Sequence, residues 1–294
     1  MLGLNNNPEF HNILNATFSV VTPNYNMGEY LAETIDSVLT NLRPGDEYFI
    51  IDGGSTDDSV EIIRRYESHL AGWVSEKDQG YADALAKGFA RSTADFHCWI
   101  NSGDLFLGGA LDEARTRLAA TGADMIFGDD LYIDDAGHVL QVSNGYVGNL
   151  ASFMLYGGWT PLQDACFWRR ALYEKVGGIN SSVRYAADYD LFLRMSLSGR
   201  CCYVPVTFSA FRKHAGQNST QHWATYLNER EACRHRELLQ HAGQEWDSRL
   251  LQTYYWWKVR WRARFQGKQF KGYERVGKSI KDIHCYALDE EMQP

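Results

Sequence analysis

The sequence lacks several features that would place it in a membrane or secreted class. No run of about 18 apolar residues occurs among the 294 residues, so no segment is predicted to span a membrane. The N-terminal sequence MLGLNNNPEFHNILNA has no basic stretch followed by an apolar one, and no signal peptide is therefore expected. The six cysteines form no CxxC pair, which favours reduced thiols over disulfides. These absences favour a cytoplasmic protein.

Two common nucleotide-binding motifs are also missing. No GxGxxG follows the first predicted strand, and no GxxxxGK[ST] occurs anywhere in the chain. A dinucleotide-binding fold and a P-loop enzyme are therefore not expected. A hydrophobic content of 45% with 22% charged residues is that of a folded protein.

Charge is unevenly distributed. The net charge is −8, yet the segment from Lys258 to Lys281 holds nine basic residues and one acidic residue. An acidic body does not suit a nucleic-acid-binding protein, and a basic tail is expected to face something anionic.

Strand and helix patterns alternate in the first half. Short apolar runs at 18–22, 47–51, 73–75 and 96–100 read as strands, and the first of them stops at Pro23. Helical spacing lies between them, which predicts an α/β fold with a mainly parallel, Rossmann-like sheet covered by helices on both faces. Later, 124–127 and 131–133 are predicted as two strands, 188–198 as a helix, and the chain from about residue 221 onward as mostly helical.

Two acidic residues follow predicted strands at the same edge of this sheet. Asp52 ends the second strand, and Asp104 closes the turn Asn101-Ser102-Gly103-Asp104 after a buried strand. Ligand sites in α/β sheets lie at the carboxyl ends of strands. A carboxylate there could hold a divalent cation that in turn holds a diphosphate. The alternative is that Asp104 only caps a turn, since these residue types also form plain turns.

With these residues in view, the chain resembles family 2 of the inverting glycosyltransferases, which have the GT-A fold. The resemblance covers about two thirds of the chain and rests on motifs in a fixed order, at 19–26, 51–59, 75–84 with Lys87-Gly88, 101–104, 167–178, 185–194 and 214–219. It implies an N-terminal tail (1–15), a GT-A domain (16–219) and a helical, basic and aromatic C-terminal extension (220–294). The domain would consist of a nucleotide-binding half (16–105) and an acceptor half (106–219).

The resemblance also implies a role for individual residues. Thr22, Pro23 and Asn24 would offer backbone groups to the base, and Asp52 would accept a hydrogen bond from a uracil-type ring N–H. Gly80 and Asp83 would lie near the ribose and phosphates, with Ser102 and Gly103 in the nucleotide-binding turn. The simpler interpretations are a strand-ending turn, a helix N-cap at Asp52 and a first-turn acid at Asp83.

The resemblance likewise implies which residues bind the metal ion and which residue is the catalytic base. Asp104 and His214 would hold Mn²⁺ or Mg²⁺ against the diphosphate, and Asp188 would be the base that deprotonates the acceptor hydroxyl. As alternatives, His214 is a surface or packed histidine and Asp188 is the N-cap of the following helix. The chain departs from the family pattern in three ways: Ser102 and Gly103 leave one acid at the turn, Ala187 precedes the base, and Ala86 replaces an Asn. These departures weaken the expectation of strict metal dependence.

The implied activity is transfer of a sugar from a nucleoside-diphosphate donor, with UDP favoured, to the hydroxyl of a saccharide or lipid-linked saccharide in surface polysaccharide synthesis. The rival hypotheses are a sugar nucleotidyltransferase and a non-catalytic module that binds nucleotide sugars. In the extension, Tyr254, Trp257, Trp261 and Phe265 share one helical face flanked by basic residues. That face would either lie on an anionic membrane surface, placing the protein peripherally on the inner face, or pack on the GT-A domain.

Overall fold

The computed structural model describes residues 8–143, 148–158, 160–214, 217, 221–241, 278–280 and 285–287. The helices are α1 (Pro8–Leu14), α2 (Gly28–Leu39), α3 (Ser59–Tyr66), α4 (Tyr81–Phe89), α5 (Ala110–Thr121), α6 (Leu150–Leu155), α7 (Arg170–Lys175), α8 (Ala187–Ser198) and α9 (Trp223–His241). The strands are β1 (Phe18–Asn24), β2 (Glu47–Asp52), β3 (Gly72–Ser75), β4 (Phe96–Trp99), β5 (Leu105–Phe106), β6 (Met125–Ile133), β7 (Val139–Ser143), β8 (Cys166–Arg169), β9 (Cys201–Arg212) and β10 (Tyr286–Ala287).

All these strands belong to one sheet, in the order β10-β9-β6-β8-β4-β1-β2-β3, with β5 paired to β9 and β7 to β6. Strands β4, β1, β2 and β3 are mutually parallel, and so are β6 and β9. Strand β8 runs antiparallel between β4 and β6. Every residue of β1 is buried because helices cover both faces of the sheet, as a continuous apolar strand requires. The predicted α/β architecture is confirmed.

The first strand is longer than predicted, and the prediction that it stops at Pro23 is wrong. Pro23 and Asn24 continue β1 and pair with Ile51 and Asp52 of β2. Pro23 is tolerated because strand β4, on the other side of β1, pairs only as far as Val21 and needs no N–H from residue 23. The turn expected at residues 22–24 is therefore the last part of a strand.

Helix α4 packs unusually close to the sheet. A Cβ atom added at Gly88 would lie 2.4 Å from Val21 Cγ1 of β1 and 3.3 Å from Ile51 Cγ1 of β2. Real Cβ atoms do not approach other carbon atoms this closely, so only glycine fits between the helix and the sheet. The close contact fixes the helix relative to β1 and β2, and thereby fixes Gly80, which precedes its first residue.

The two strands predicted at 124–127 and 131–133 are one strand, β6, and that prediction is wrong. Gly128, Asp129 and Asp130, expected between the two strands, lie within β6, and the pairing with β9 changes register there. A Cβ atom at Gly128 would lie 2.4 Å from the Val206 carbonyl oxygen. Glycine thus lets the two backbones meet at an irregularity that buries both Asp129 and Asp130.

Both ends of the chain differ from the sequence expectations. Residues predicted as part of a tail form α1, whose Ile13 is buried in the core. The C-terminal segment is helical in α9, but it also adds β10, which pairs antiparallel with β9. The aromatic and basic residues from Tyr254 to Phe265 lie outside the described residues, so their proposed role stays a prediction. All six cysteines are free thiols.

No helix in the described part of the chain is long and apolar enough to cross a membrane.

Candidate functional site

The carboxyl ends of β1, β2 and β4 meet at one edge of the sheet and bring the predicted donor-site residues together. Asn24 and Asp52 are paired across the ends of β1 and β2. The turn after β4 lies against the end of β1, because Ser102 Oγ donates to the Pro23 carbonyl oxygen at 3.2 Å. Gly103 in that turn has a φ of 106°, which favours glycine. The expected convergence of Asp52 and Asp104 on one edge is therefore present.

The Asp52 carboxylate is fully buried and receives hydrogen bonds from the chain itself. Its Oδ1 accepts from Asn24 Nδ2 at 2.7 Å and from Ser55 Oγ, and its Oδ2 accepts from Ser75 Oγ and the Gly54 and Ser55 backbone N–H groups. Burial opposes ionisation, but these bonds outweigh it and lower the pKa of Asp52. Thr22 is also buried, with its hydroxyl 3.0 Å from Tyr48 Oη. Binding of a ring N–H by Asp52 stays a prediction, and one of these donors would have to yield to it.

Asp78 is an acid at this edge that the sequence reasoning passed over. Its Oδ1 accepts from Gly80 N at 2.9 Å, and its Oδ2 would lie 2.7 Å from a Cβ atom placed at Gly53. Burial raises the pKa of Asp78, and the charges of Asp83 and Asp52 add to the rise. Its position inside the matched 75–84 motif was the available signal.

Gly80 and Asp83 begin helix α4 beside this acid. Gly80 has a φ of 115°, a backbone conformation that residues with a side chain rarely adopt. Asp83 Oδ2 accepts from Gln79 N at 3.2 Å and pairs with Lys87 Nζ at 3.2 Å. Asp83 therefore has the contacts expected of an acid in the first turn of a helix. A contact of Asp83 with ribose or phosphate stays a prediction.

Strand β9 positions Asp104 through hydrogen bonds from Arg212. Its Oδ1 accepts from the Arg212 backbone N–H at 3.0 Å, and the Arg212 side chain donates to the Gly103 carbonyl oxygen at 3.0 Å. The guanidinium of Arg212 is buried and also binds Glu33 and the carbonyl oxygens of Asp134 and Asp135. Sequence reasoning missed Arg212 because its partners are distant in the chain. The arginine fixes the turn that carries Asp104.

Two other buried acids, Asp130 and Asp164, interact electrostatically with Asp104. Burial raises the pKa of Asp104 well above its ordinary value, and the neighbouring charge of Asp164 raises it further. The same two causes raise the pKa of Asp130. Burial likewise raises the pKa of Asp164. Carboxyls this close cannot all ionise in a buried site unless protons or a cation balance them.

The oxygens near Asp104 suit a hard divalent cation. Among the described residues, Asp104 Oδ2 has only long contacts, 3.4 Å to Asn101 Nδ2 and 3.5 Å to Gln163 Nε2. Gln163 Oε1 is buried and accepts no hydrogen bond from any residue that the structure describes. Carboxylate and amide oxygens are ligands that Mg²⁺ and Mn²⁺ accept. Among the described residues, no three acidic, histidine or cysteine side chains are placed to hold a metal ion together. A cation here would therefore need donor phosphates or water as further ligands.

His214 lies near the same turn. Its ring centroid is 5.6 Å from that of Tyr30, and a Cβ atom at Gly103 would lie 3.9 Å from Tyr30 Cβ. Tyr30 thus lies beside His214 and beside Gly103, the residue before Asp104. Burial lowers the pKa of His214, which favours the neutral imidazole that a metal requires. A joint role of His214 and Asp104 stays a prediction.

Asp188 lies in the first turn of α8. The N-cap of this helix is Ala186, so the interpretation of Asp188 as an N-cap is wrong. Its Oδ1 accepts from Tyr189 N at 2.7 Å. Burial raises the pKa of Asp188 to about 6, although the Tyr189 N–H works against that rise. Its neighbour Asp190 is occupied, since it pairs with Arg194 and Arg236 at 2.5 Å each.

Tyr81 links the Asp188 segment to the donor edge. Its hydroxyl donates to the Tyr185 carbonyl oxygen at 3.1 Å and accepts from Ala187 N at 3.1 Å. Because Tyr81 directly follows Gly80, one side chain joins the start of α4 to the start of α8. Burial, then the charge of Asp188, raises the pKa of Tyr81 well above its usual range, so the phenol keeps its proton.

Cys166 is influenced by acids from both parts of the site. Burial raises the pKa of the Cys166 thiol well above its ordinary value, and the charges of Asp164 and Asp188 raise it further. Cys166 is thus within electrostatic reach of both. Gln163, next to Asp164, in turn contacts Asp104 at 3.5 Å.

A second support of the Asp188 segment comes from α9. Glu229 accepts hydrogen bonds from three successive backbone N–H groups, at 3.3 Å from Arg184, 2.7 Å from Tyr185 and 2.9 Å from Ala186. Glu229 was not predicted, because nothing in the local sequence of a polar helix indicates a partner 43 to 45 residues earlier. The C-terminal extension therefore helps to build the site.

Comparison with known sequences identifies relatives of one kind. The family described as "Glycosyl transferase family 2" matches residues 19–176. An uncharacterised glycosyltransferase of Mycobacterium tuberculosis is 31% identical over 186 residues, which covers 62% of this chain and 69% of the relative. A PGL/p-HBAD biosynthesis glycosyltransferase of the same species is 26% identical over 216 residues, covering 69% of this chain and 79% of the relative.

Solved structures show the same fold. S. aureus TarS 1–349 in complex with UDP-GlcNAc has a TM-score of 0.54 at 17% identity, over 70% of this chain and 61% of that one. The mannosyltransferase PcManGT of Pyrobaculum calidifontis, in complex with GDP-Man and Mn²⁺, has a TM-score of 0.52 at 16% identity, over 87% of this chain and 81% of that one. In another TarS structure the match spans only 37% of the solved chain. These neighbours confirm the predicted GT-A fold.

Replacing Tyr81 with Phe is expected to slow sugar transfer by about tenfold. The change leaves the Ala187 N–H and the Tyr185 carbonyl without their shared partner, and a lost bond of about 1.4 kcal/mol at the reacting geometry corresponds to one factor of ten in rate. The measurement is the transfer rate at saturating donor. Tyr173→Phe is the control, because its buried hydroxyl accepts from Ile179 N, away from Asp188. Equal rates in both variants would contradict the role of Tyr81.

Proposed function

The chain belongs to glycosyl transferase family 2, and we propose that it transfers a sugar from a nucleoside-diphosphate donor to an acceptor hydroxyl with inversion. The observation that carries the proposal is Asp188, a half-buried carboxyl whose surroundings raise its pKa to about 6 and whose segment Tyr81 ties to the donor edge. A base with this pKa is mostly ionised at neutral pH and still accepts a proton readily.

The chemistry is a single displacement at the anomeric carbon. The Asp188 carboxylate takes the proton of the acceptor hydroxyl as its oxygen forms the new bond to that carbon. The bond from the anomeric carbon to the diphosphate breaks, and the leaving group departs with the electron pair. Only one carboxylate is needed for inversion. Asp190 pairs with two arginines, whereas Asp188 takes part in no ion pair with the residues that the structure describes.

We propose UDP as the nucleotide and Mn²⁺ or Mg²⁺ as the cofactor. Asp104 would hold the ion, with His214 as a second candidate, and a bound divalent ion neutralises the charge that develops on a diphosphate leaving group. Support comes from the under-satisfied oxygens of Asp104 and Gln163 and from relatives of the fold solved with UDP-GlcNAc or with GDP-Man and Mn²⁺. The proposed acceptor is a saccharide or lipid-linked saccharide of a surface polysaccharide.

A nucleotide and metal panel tests the donor. UDP at about 100 times its Kd should stabilise the protein by about 2.7 kcal/mol, visible as a thermal shift, and more with Mn²⁺ than with EDTA. GDP, CDP and dTDP are expected to shift the melting temperature less. In Asp104→Ala the metal-dependent part of the shift should disappear. An equal UDP shift in EDTA would contradict the metal role, and no shift with any nucleotide would favour a scaffold that binds no donor.

The variant Asp188→Asn tests the reaction. Transfer should fall by a factor of a thousand or more, since general-base catalysis contributes roughly 10²- to 10⁴-fold and the amide cannot accept the proton. UDP should bind as in the wild type, because the side chain keeps its size. Asp58→Asn, at an exposed acid before α3, is the control and should transfer normally. Normal turnover in Asp188→Asn would refute the base assignment, and pyrophosphate release from a nucleoside triphosphate and a sugar phosphate would indicate a nucleotidyltransferase.

The pH dependence of kcat/KM should reflect the ionisation of Asp188. Because burial raises the pKa of Asp188 to about 6, the carboxylate is ionised above that value and protonated below it. We therefore expect kcat/KM to be constant near neutral pH and to fall about tenfold per unit as the pH drops below 6. The residual activity of Asp188→Asn should lack this limb. A wild-type profile that stays flat down to pH 5 would contradict the assignment.

A further inference from the structure

Arg184 lies at the donor edge although it belongs to the acceptor half of the chain. A Cβ atom placed at Gly80 would lie 3.9 Å from Arg184 Cγ and 4.0 Å from Arg184 Nε. The side chain therefore extends across Gly80, at the start of α4. Gly80 adjoins Asp78, whose Oδ2 faces Gly53 after β2, so the guanidinium stands beside the loops that form the nucleotide side of the site.

The backbone of Arg184 is held in place by three hydrogen bonds in a row. Its N–H and those of Tyr185 and Ala186 donate to the Glu229 carboxylate, and the next carbonyl oxygen, of Tyr185, accepts from Tyr81. A segment fixed by two other helices loses little further backbone entropy when its side chain takes a ligand. Arg184 and Asp188, four residues apart, are thus carried by one ordered segment.

The charges around Arg184 indicate an anionic ligand. Asp52, Asp78 and Asp83 lie on the nucleotide side, so a diphosphate would meet negative charge there. Lys87 is already engaged, at 2.8 Å from Glu76 and 3.2 Å from Asp83. In the part of the chain that the structure describes, the exposed Arg184 guanidinium takes part in no ion pair and lies 5.3 Å from the Tyr185 ring centroid.

We propose that Arg184 binds the diphosphate of the nucleotide donor. A guanidinium presents two parallel N–H groups that match phosphate oxygens, and its charge would stabilise the leaving diphosphate as its bond to the sugar breaks. This contribution supplements a metal turn that carries a single acid, Asp104. The inference rests on the proposed function and assigns the same segment two tasks, with Arg184 on the leaving group and Asp188 on the acceptor.

The test compares UDP with uridine in the full-length protein. Arg184→Ala should weaken UDP binding by roughly 10- to 100-fold, the range for hydrogen bonds to a charged group, and leave uridine binding unchanged. UDP is titrated calorimetrically with Mn²⁺ and again with EDTA, and uridine is titrated by ligand-observed NMR at millimolar concentration. The loss should persist in EDTA, because a guanidinium contact needs no metal. Arg184→Lys keeps the charge without the planar fork and should lose less.

Matched variants separate the possible outcomes. Arg64→Ala removes an exposed arginine from the far end of α3 and should leave both affinities unchanged. Equal UDP affinity in Arg184→Ala and the wild type would overturn the inference, and so would parallel losses for UDP and uridine. A wild type that binds none of UDP, GDP, CDP and dTDP would instead contradict the proposed function itself.

Discussion

Helix α8 begins without a side-chain cap of its own, and the Glu229 carboxylate supplies one from α9. The N–H groups at the start of a helix need acceptors, and a carboxylate there also interacts favourably with the helix dipole. Glu229 binds the N–H of the N-cap residue Ala186, and Tyr81 binds those of Ala187 and Asp188. Asp188 Oδ1 accepts from the N–H of Tyr189. Asp190 is committed to Arg194 and Arg236. The division of labour among three neighbouring carboxylates leaves one of them available for substrate.

Burial disfavours the charged form of Asp52, Asp104 and Asp188 alike, yet their net pKa shifts differ in sign because their hydrogen-bond donors differ. Asp52 is surrounded by hydroxyl, amide and backbone N–H donors that stabilise its charged form, so the carboxylate braces the loop after β2. Asp104 and Asp188 have few donors, and burial raises the pKa of each. The protonation of carboxyls with so few donors depends on the ligand that binds beside them. A cation would favour ionised Asp104, and an acceptor hydroxyl would find a base at Asp188 able to take its proton.

The parallel half of the sheet was predictable from sequence because its signals are local. Buried apolar runs ending in Gly-, Asn- and Asp-rich turns locate β1, β2 and β4, and the ends of parallel strands must share an edge. The strand predictions that were wrong failed for physical reasons. Pro23 continues β1 because β4 has already ended beside it, and Gly128 breaks the pattern of β6 because the neighbouring backbone leaves no room for a side chain. Tyr81, Arg212 and Glu229 were missed since their partners lie 43 to more than 100 residues away.

The family match ends at residue 176, before the segment that carries the candidate base. The matched part contains the sheet edge formed by β1, β2 and β4, where the nucleotide is proposed to bind. Arg184, Asp188 and Glu229 all follow it, and their arrangement is defined by contacts back to Gly80 and Tyr81. Because Glu229 of α9 holds the backbone of Arg184 and that of the N-cap residue Ala186, a change at Glu229 is expected to disturb both proposed tasks of this segment. The proposed contacts with donor and acceptor are therefore coupled through one segment that lies beyond the matched region.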